Sequence, residues 1–326
     1  MNKIYKVGII GCGHIAEKMA ATLIEMTEAQ PYAVASRHIE KAQAFAKKWN
    51  IKTCYGSYEE LADDKNVDLI YIAVPHSHHY QYARMCIEKG KPVLCEKAFT
   101  ANAFQACHLI SLAEQNKVFI TEAIWTRYMP LSIKMQELIK DGIIGTPHML
   151  TANIGYPISN KERIFSPELA GGALLDIGVY TLNFAAMAFG TDITETHSVC
   201  NKFKTGVDSQ ESITLFYKDG KMASMQATTF AYTDRSGVIS GDKGYLIVEN
   251  INNPECIKVY NTEYKQIAVY KAPQQITGFE YQVRASIEAI ENGWLESPYM
   301  PHKETIRIME QMDNLRKEWG VVYPCD

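Results

Sequence analysis

The sequence predicts an α/β chain of two domains, a doubly wound parallel sheet followed by an α+β domain with an open-faced, mostly antiparallel sheet. Three observations predict it. Over residues 1–125, short apolar strands alternate with amphipathic helices, the pattern of a parallel sheet covered on both faces. Over residues 126–326 the alternation stops, strand follows strand, and the helices are segregated. The length of 326 residues is long for one domain and suits two.

The elements follow in order. "YKVGII" (Tyr5 to Ile10) is a short apolar strand, and "GCGHIAEKMAATLIEM" is a glycine turn running into a helix. "YAVAS" (Tyr32 to Ser36) reads as a strand and Ile39 to Trp49 as a helix. Ser57 opens another helix, with Glu60 three positions on as a capping box. Asp68 to Val74 is a buried strand, and a helix from about Ser77 to Lys89 stops at Gly90. Pro92 to Cys95, a helix over Asn102 to Asn116 and the strand Lys117 to Ala123 complete the first domain. In the second, Met129 to Asp141 is a helix ended by Gly142, "PHMLTANIGY" a strand, and "GGALLDIGVYTLNFAAMAFG" a glycine pair, a helix and a stop. Strands follow in "ETHSVCNKF", "ESITLFYKDGKMASMQATTF", "YLIVEN", "ECIKVYN" and "KQIAVY", with "KDGK" as a hairpin turn. Helices return over about Gly278 to Asn292 and Lys303 to Trp319. A sheet of this kind takes helices on one face; the other is solvated or pairs with a second subunit.

Composition excludes several classes of function. The formal net charge is −4 and no basic block of the kind that tracks nucleic acid is present. No apolar run reaches the roughly 18 residues of a membrane helix, and the opening "MNKIYKVGIIGCG" lacks an export-signal pattern. Eight scattered cysteines without a C-x-x-C pair suit reduced thiols in the cytoplasm.

The glycine turn points to a ligand. Gly11-Cys12-Gly13-His14-Ile15-Ala16 fits G-x-G-x-x-A, following a strand and opening a helix, the context that a dinucleotide requires. Gly11 permits the tight turn, Gly13 lets backbone N–H groups approach a pyrophosphate, and Ala16 lets helix and strand pack closely. This is a Rossmann fingerprint. At the end of the second strand, where an acidic side chain would accept from a ribose 2′-hydroxyl, the sequence offers "ASRH". Ser36 can hydrogen-bond a phosphate and Arg37 can pair with it as a planar fork, which favours NADP over NAD. The alternative is a solvated Arg37.

The stretches "GIIGCGHIA", "AVPHSHH", "VLCEKAF" and "AGGALLDIGVYTL" together resemble the glucose–fructose oxidoreductase and inositol dehydrogenase family over nearly the whole chain. Within it, "SYEELA", "EAIWTRYMP" and "LAGGALLDIGVY" are most similar to the branch of dimeric dihydrodiol dehydrogenases and NADP-linked sugar dehydrogenases. The resemblance implies a nucleotide-binding domain ahead of an open-faced sheet domain, and a homodimer paired through that sheet. It implies that Val74, Pro75, His76, His79, Glu96 and Lys97 lie at the cofactor along with Gly11, Gly13, His14 and Ile15. It also implies catalytic roles for the lysine of an E-K-P motif and for an acid/base four residues after an aspartate. Glu96-Lys97 match the motif, with Ala98 in place of proline; the exchange loosens the turn and removes no reactive group. Most relatives carry histidine where this chain has Tyr180, and the dihydrodiol dehydrogenase branch carries tyrosine.

The chemistry of these residues is coherent. Lys97 follows a strand end that faces the crevice, where an ammonium can bind a substrate oxygen. Asp176 and Tyr180 are four apart on the helix predicted here and share a face. A tyrosine can exchange a proton with that oxygen while hydride moves. Lowering a phenol from about 10 to about 7 takes roughly 4 kcal/mol, which one positive charge at about 4 Å supplies at an effective dielectric near 20. Asp176 opposes that shift, so it is given an orienting role on Lys97 or substrate. Glu96 turns toward the cofactor ribose or the loop backbone. The run His76, His78, His79 invites a metal reading, but no acidic or thiol ligand stands beside it, and a polar wall near the cofactor or simple helix capping is preferred. Trp125, Arg127 and Tyr128 line either a substrate pocket or an interdomain hinge, and Phe165 is a further pocket candidate. Two functions remain open: a dehydrogenase acting on a sugar or a trans-dihydrodiol, and a non-enzymatic NADP-sensing protein of the same fold.

Overall fold

The computed structural model describes residues 3–326, and the chain forms two compact units. In the first, apolar strands alternate with helices: β1 (Tyr5–Ile10), α1 (His14–Glu25), β2 (Ala29–Ala35), α2 (Ile39–Lys48), β3 (Thr53–Tyr55), α3 (Tyr58–Asp63), β4 (Leu69–Ile72), α4 (His76–Glu88), β5 (Val93–Glu96), α5 (Ala103–Asn116) and β6 (Ile120–Ala123). The strands pair in the order β3-β2-β1-β4-β5-β6, and every pair is parallel. The order reverses between β1 and β4, and in such sheets ligands bind outside the carboxyl ends of the strands at that point. β4, β5 and β6 are buried along their whole lengths, as expected for strands covered on both faces. The capping box at Ser57 forms as the sequence predicts: Ser57 Oγ accepts from Glu60 N–H at 3.2 Å and the Glu60 carboxylate accepts from Ser57 N–H at 3.3 Å.

The second unit begins with a buried 3₁₀ turn, Trp125–Tyr128, and continues through α6 (Pro130–Lys140), β7 (Pro147–Gly155), the single turn α7 (Glu162–Phe165), a π-helical turn over Leu174–Gly178 and α8 (Val179–Phe189). Seven strands follow: β8 (Ile193–Lys202), β9 (Asp208–Tyr217), β10 (Met222–Thr228), β11 (Gly237–Gly241), β12 (Gly244–Glu249), β13 (Cys256–Asn261) and β14 (Gln266–Lys271). They join β7 in an eight-stranded sheet of order β14-β13-β12-β11-β7-β10-β9-β8. All neighbours are antiparallel except β7 and β10. α8 packs on β7 and β10, and α6 on β13. On that side Ile213, Leu215, Leu150, Ile239 and Leu246 are buried, while Met149, Thr151, Gln226 and Ile247 on the other side are not.

The last helices are α9 (Glu280–Glu291) and α10 (His302–Trp319). Here the structure corrects the sequence reading: Gln275–Glu310 belongs to the first unit, not to the second. The reason is pairing with β1, α1 and β6. Thr22 and Thr277 share a hydroxyl hydrogen bond of 2.6 Å, Tyr5 OH donates to Glu291 Oε1 at 3.2 Å, and Arg284 pairs with Glu28. Ile120 N–H donates to the Leu295 carbonyl at 3.1 Å. An amphipathic pattern says that a helix covers a core but does not say which. A second correction concerns Pro167–Phe189. Its 23 residues contain an 18-residue window of mean hydropathy 1.4, long and apolar enough to cross a membrane; 89% of that window is buried within the protein, as in the core helix of a globular unit.

Candidate active site

The glycine turn between β1 and α1 has the form a pyrophosphate needs. Gly11 has φ +104°, and a Cβ there would collide with the Ala73 carbonyl, so the position demands glycine. Gly13 has an ordinary φ of −82°, and a Cβ there would meet no atom within 4 Å. Nothing in the chain's own packing therefore calls for glycine at 13, whereas the close approach of a ligand to its backbone does. His14 and Ile15 form the accessible first turn of α1, and Ala16 is buried. An N-terminal turn of this kind favours an anion. Ser36 at the end of β2 is buried and its Oγ accepts from His38 N–H at 3.4 Å. Arg37 is exposed. Its charge reaches Tyr58 and Tyr82, whose phenols are raised by burial and lowered in part by that guanidinium. The two rings meet edge-on at 4.5 Å. The residues present fit a dinucleotide carrying a 2′-phosphate.

The ends of β4 and β5 hold the predicted histidines and the Glu96-Lys97 pair. Val74 and Pro75 lead into α4, with Pro75 at its N-cap and His76 its first residue. His79 is fully buried, with Nδ1 2.8 Å from the Ala98 carbonyl and Nε2 2.8 Å from the Val74 carbonyl. Burial pushes its pKa down to about 4, against those two carbonyls. The ring is thus neutral at pH 7 and carries a single N–H, so it donates to one of the two carbonyls and not to both. Its nitrogens face carbonyls inward, and among the described residues no three metal-ligating groups gather. Glu96 is the buried last residue of β5 and accepts from Tyr71 OH on β4. Lys97 is half-buried, and its charge also disfavours protonation of His79. The stretch after Lys97 is not loose. Ala98 to Asn102 are buried. Phe99 N–H donates to Glu122 Oε1 at 3.1 Å, Ala101 N–H to Gln105 Oε1 at 3.2 Å, and Thr100 Oγ1 to the Asn102 carbonyl at 2.8 Å.

In the second unit, Trp125, Asp176 and Tyr180 come together around the π-helical turn. Trp125 Nε1 donates to the Tyr180 hydroxyl at 3.0 Å, with both side chains buried. Asp176 is 5% exposed and pairs through Oδ1 with Nη1 of Arg163 on α7. The helix predicted through Asp176 and Tyr180 begins as a π-turn over Leu174–Gly178, with Val179 N–H reaching the Leu174 carbonyl five residues back, and Tyr180 lies in the regular α8 that follows. Such turns are frequent at functional sites. β9 packs against this turn. Asp208 Oδ2 accepts from Leu174 N–H at 2.6 Å. A Cβ on Gly172 would collide with Asp208, and one on Gly178 with Glu211. Both carboxyls are buried; burial raises Asp208 to about 6 and Glu211 well above the usual carboxylate range. Arg127 Nε donates to Asn183 Oδ1 at 2.6 Å, and Asn183 Nδ2 to the Val179 carbonyl at 2.8 Å, which fastens the 3₁₀ turn to α8. Phe165 closes α7 and is half-buried.

Sequence reasoning missed Arg163, Asp208, Glu211 and Asn183. For Glu211 a signal exists. Glu211, Ile213, Leu215 and Tyr217 alternate along one face of β9, and a carboxylate on an apolar face is out of place unless it serves something.

Comparisons with known proteins agree on one grouping. Residues 5–123 match the model of the GFO/IDH/MocA oxidoreductase family with its NAD-binding Rossmann fold, and residues 132–247 match the GFO/IDH/MocA C-terminal domain. The trans-1,2-dihydrobenzene-1,2-diol dehydrogenase of Mus musculus is 34% identical over 332 residues, covering 98% of each chain. That of Homo sapiens is 32% identical over 329 residues, again covering 98% of each. Among solved structures, the aldose-aldose oxidoreductase of Caulobacter crescentus complexed with glycerol superposes with a TM-score of 0.88 at 20% identity, covering 98% of each chain. The 3-ketoreductase KijD10 of Actinomadura kijaniata in complex with NADP and TDP-benzene gives 0.87 at 23% identity, covering 97% of this chain and 98% of its own. A levoglucosan dehydrogenase complexed with NADH and levoglucosan gives 0.87 at 16% identity, covering 98% of each chain.

Proposed function

The chain belongs to the GFO/IDH/MocA oxidoreductase family, and on that premise we propose that it is an NADP-dependent dehydrogenase of a cyclic polyol. The reaction moves a hydride between the nicotinamide and a secondary alcohol or carbonyl of a sugar or a trans-dihydrodiol. The observation that carries this reading is the buried Trp125–Tyr180 hydrogen bond beside Asp176. A sensing protein has no use for a phenol held in this way. Relatives that share about a third of their residues with this chain are named for such a diol, which supports the substrate class.

Bound NADP would supply or receive the hydride, held by Gly11, Gly13 and the first turn of α1 on one side and by Ser36 and Arg37 at the adenosine end. The proton belongs to the protein. Tyr180 takes it from the substrate hydroxyl in oxidation and returns it in reduction, and Lys97 is the ammonium proposed to bind a substrate oxygen. The indole N–H of Trp125 can only donate, so it supports the negative charge that develops on the Tyr180 oxygen. The cofactor choice rests on Arg37, since the fold itself accommodates NADP in one neighbour and NADH in another. A panel of cyclic polyols and dihydrodiols, followed at the absorbance of reduced nicotinamide with each cofactor, tests the whole reading. Arg37→Ala is expected to weaken NADP by roughly 10- to 150-fold, the usual worth of a charge-assisted hydrogen bond, and to leave NAD nearly unchanged. Equal weakening of both would refute the assignment of Arg37.

We further propose a homodimer paired through the uncovered face of the eight-stranded sheet. That face carries Met149, Val238, Ile247 and a stacked Tyr245–Tyr260 pair with ring centres 4.8 Å apart. A mixed apolar and aromatic sheet face of this extent suits an isologous contact. Light scattering at micromolar concentration is expected to give twice the chain mass; a monomer at every concentration rules the dimer out. The scattered cysteines without a C-x-x-C pair support a cytoplasmic setting.

A further inference from the structure

We propose that Tyr323 is a positioning residue for the reaction: by holding the Gly171 carbonyl it fixes the glycine pivot from which the run carrying Tyr180 starts. The inference rests on the reading of Tyr180 as the acid/base. Gly171 and Gly172 stand just ahead of the π-helical turn, and Gly172 has φ +126°. Glycine is the most permissive residue, so a pair of them makes a joint that does not set its own direction. Here the peptide between the two is pinned at both polar ends. Its N–H, that of Gly172, donates to the Ile164 carbonyl at 2.8 Å, and its carbonyl, that of Gly171, accepts from the Tyr323 hydroxyl at 2.7 Å. With both ends engaged, the peptide plane is held against turning over. The Gly172 carbonyl then accepts from Asp176 N–H at 3.4 Å. From there the backbone winds through the π-turn into α8, whose second residue is Tyr180. A rotation at the pivot would re-aim the start of that run.

Tyr323 is itself built as a fixed point. Its side chain is 2% exposed, and the Arg316 guanidinium of α10 lies over its ring, 4.3 Å from the ring centre. Arg316 is buried and pairs with both carboxylate oxygens of Asp326 at 3.0 Å and with Asp313 at 2.8 Å. Tyr323 N–H donates to the same Asp326 carboxylate at 2.8 Å. A planar fork stacked on an aromatic face and locked by two acids leaves the ring little freedom. Burial, with the Asp208 carboxyl adding to it, holds the phenol well above the ordinary tyrosine range, so it keeps the proton that it donates. The other contacts at the pivot engage N–H groups: Gly171 N–H donates to the Ser166 carbonyl at 2.9 Å, and Leu174 N–H to Asp208. The Gly171 carbonyl, buried and in need of a donor, receives it from Tyr323, 152 residues on in the chain.

The test is Tyr323→Phe, which removes one hydroxyl and leaves the ring against Arg316. Turnover of the full chain is measured with NADP and the best substrate of the polyol panel, well below the thermal midpoint of each variant. The stoichiometry of NADP binding gives the active fraction. Both kcat and kcat/KM are expected to fall together by roughly 2- to 10-fold, the net worth of one hydrogen bond read as a rate, with the Kd for NADP unchanged. Val322→Ala, at the exposed neighbouring position, is expected to change none of these. In a Tyr180→Phe background, Tyr323→Phe is expected to cost little more, because the group that it positions is gone. A lower thermal midpoint with unchanged turnover would mean that Tyr323 serves stability alone, and overturns the proposal. So does a full further loss in the Tyr180→Phe background. Near-normal turnover in Tyr180→Phe alone sinks the reading of Tyr180, a failure distinct from either of these. Should Tyr323→Phe not fold, Asp326→Asn, which slackens the support of Arg316 and Tyr323 and keeps the hydroxyl, is expected to give the same pattern at smaller size; unchanged turnover there overturns the proposal.

Discussion

Tyr180→Phe is expected to lower turnover by about 10²-fold or more, the usual size of general acid–base help, and to abolish the basic limb of the oxidation profile. NADP affinity is expected to change far less, because the tyrosine is not among the residues assigned to holding the cofactor. The substitution deletes one oxygen. Its loss leaves the Trp125 indole N–H without the acceptor it now has at 3.0 Å, which costs about 1–3 kcal/mol of stability and is measurable separately by thermal unfolding. Lys97→Met is expected to reduce turnover by a comparable factor. If the two side chains serve one proton transfer, the double variant will be little worse than the worse single variant. Additive losses would mean two independent roles, and near-normal turnover in Tyr180→Phe would mean that the proton travels another way.

Asp208→Asn is expected to stabilise the fold in a pH-dependent manner. Burial raises the Asp208 carboxyl from an ordinary value of 3.8 to about 6, against the N–H groups of Leu174 and Ala173 and the charge of Arg316. The folded protein therefore holds this proton more tightly than the unfolded chain does. The stability it contributes is fully present below about pH 4, is lost as pH rises through about 6, and changes no further above that. A shift of about two units corresponds to something on the order of 3 kcal/mol. Asparagine keeps an oxygen for Leu174 N–H and cannot ionise. The denaturant midpoint of the variant relative to the parent should climb between pH 4 and 6 and then level off. A constant difference across that range would show that the Asp208 side chain is not held as the structure has it.

What could be read from the sequence is what is local. The positive φ of Gly11, the capping box at Ser57 and the hairpin turn at Gly220, with φ +87°, are each set by a few neighbouring residues. The same holds for the alternation that marks the parallel sheet. What escaped is what distant residues impose. β11 is five residues bounded by glycines, and its strand character comes from pairing with β7 and β12. Even Gly237 is chosen non-locally, since a Cβ there would collide with the ring of Phe184. The π-turn at Leu174–Gly178 lies against two acids some 30 residues on in the chain. In the site, Gly11, Gly13, Lys97, Asp176 and Tyr180 stood out by motif, whereas Arg163 carries none; its meaning is the contact with Asp176. For Glu96, the hydrogen bond from Tyr71 on the neighbouring strand is likewise a contact that no motif announces.

The return of residues 275–310 to the first unit bears on the order in which the protein is made. The six-stranded sheet is complete once Ala123 has been synthesised, but the groups that pair with Tyr5, Thr22, Glu28 and Ile120 have yet to appear. The first unit closes only at Glu310, 186 residues after Ile124 (310 − 124). At about 5–20 residues per second, that is a wait of roughly ten to forty seconds. During it the surface later covered by α9 stays bare on the nascent chain, while the whole second unit up to Gln274 emerges behind it. The half synthesised first is thus finished late, and the interval is when a chaperone or an early cofactor would have most effect on yield.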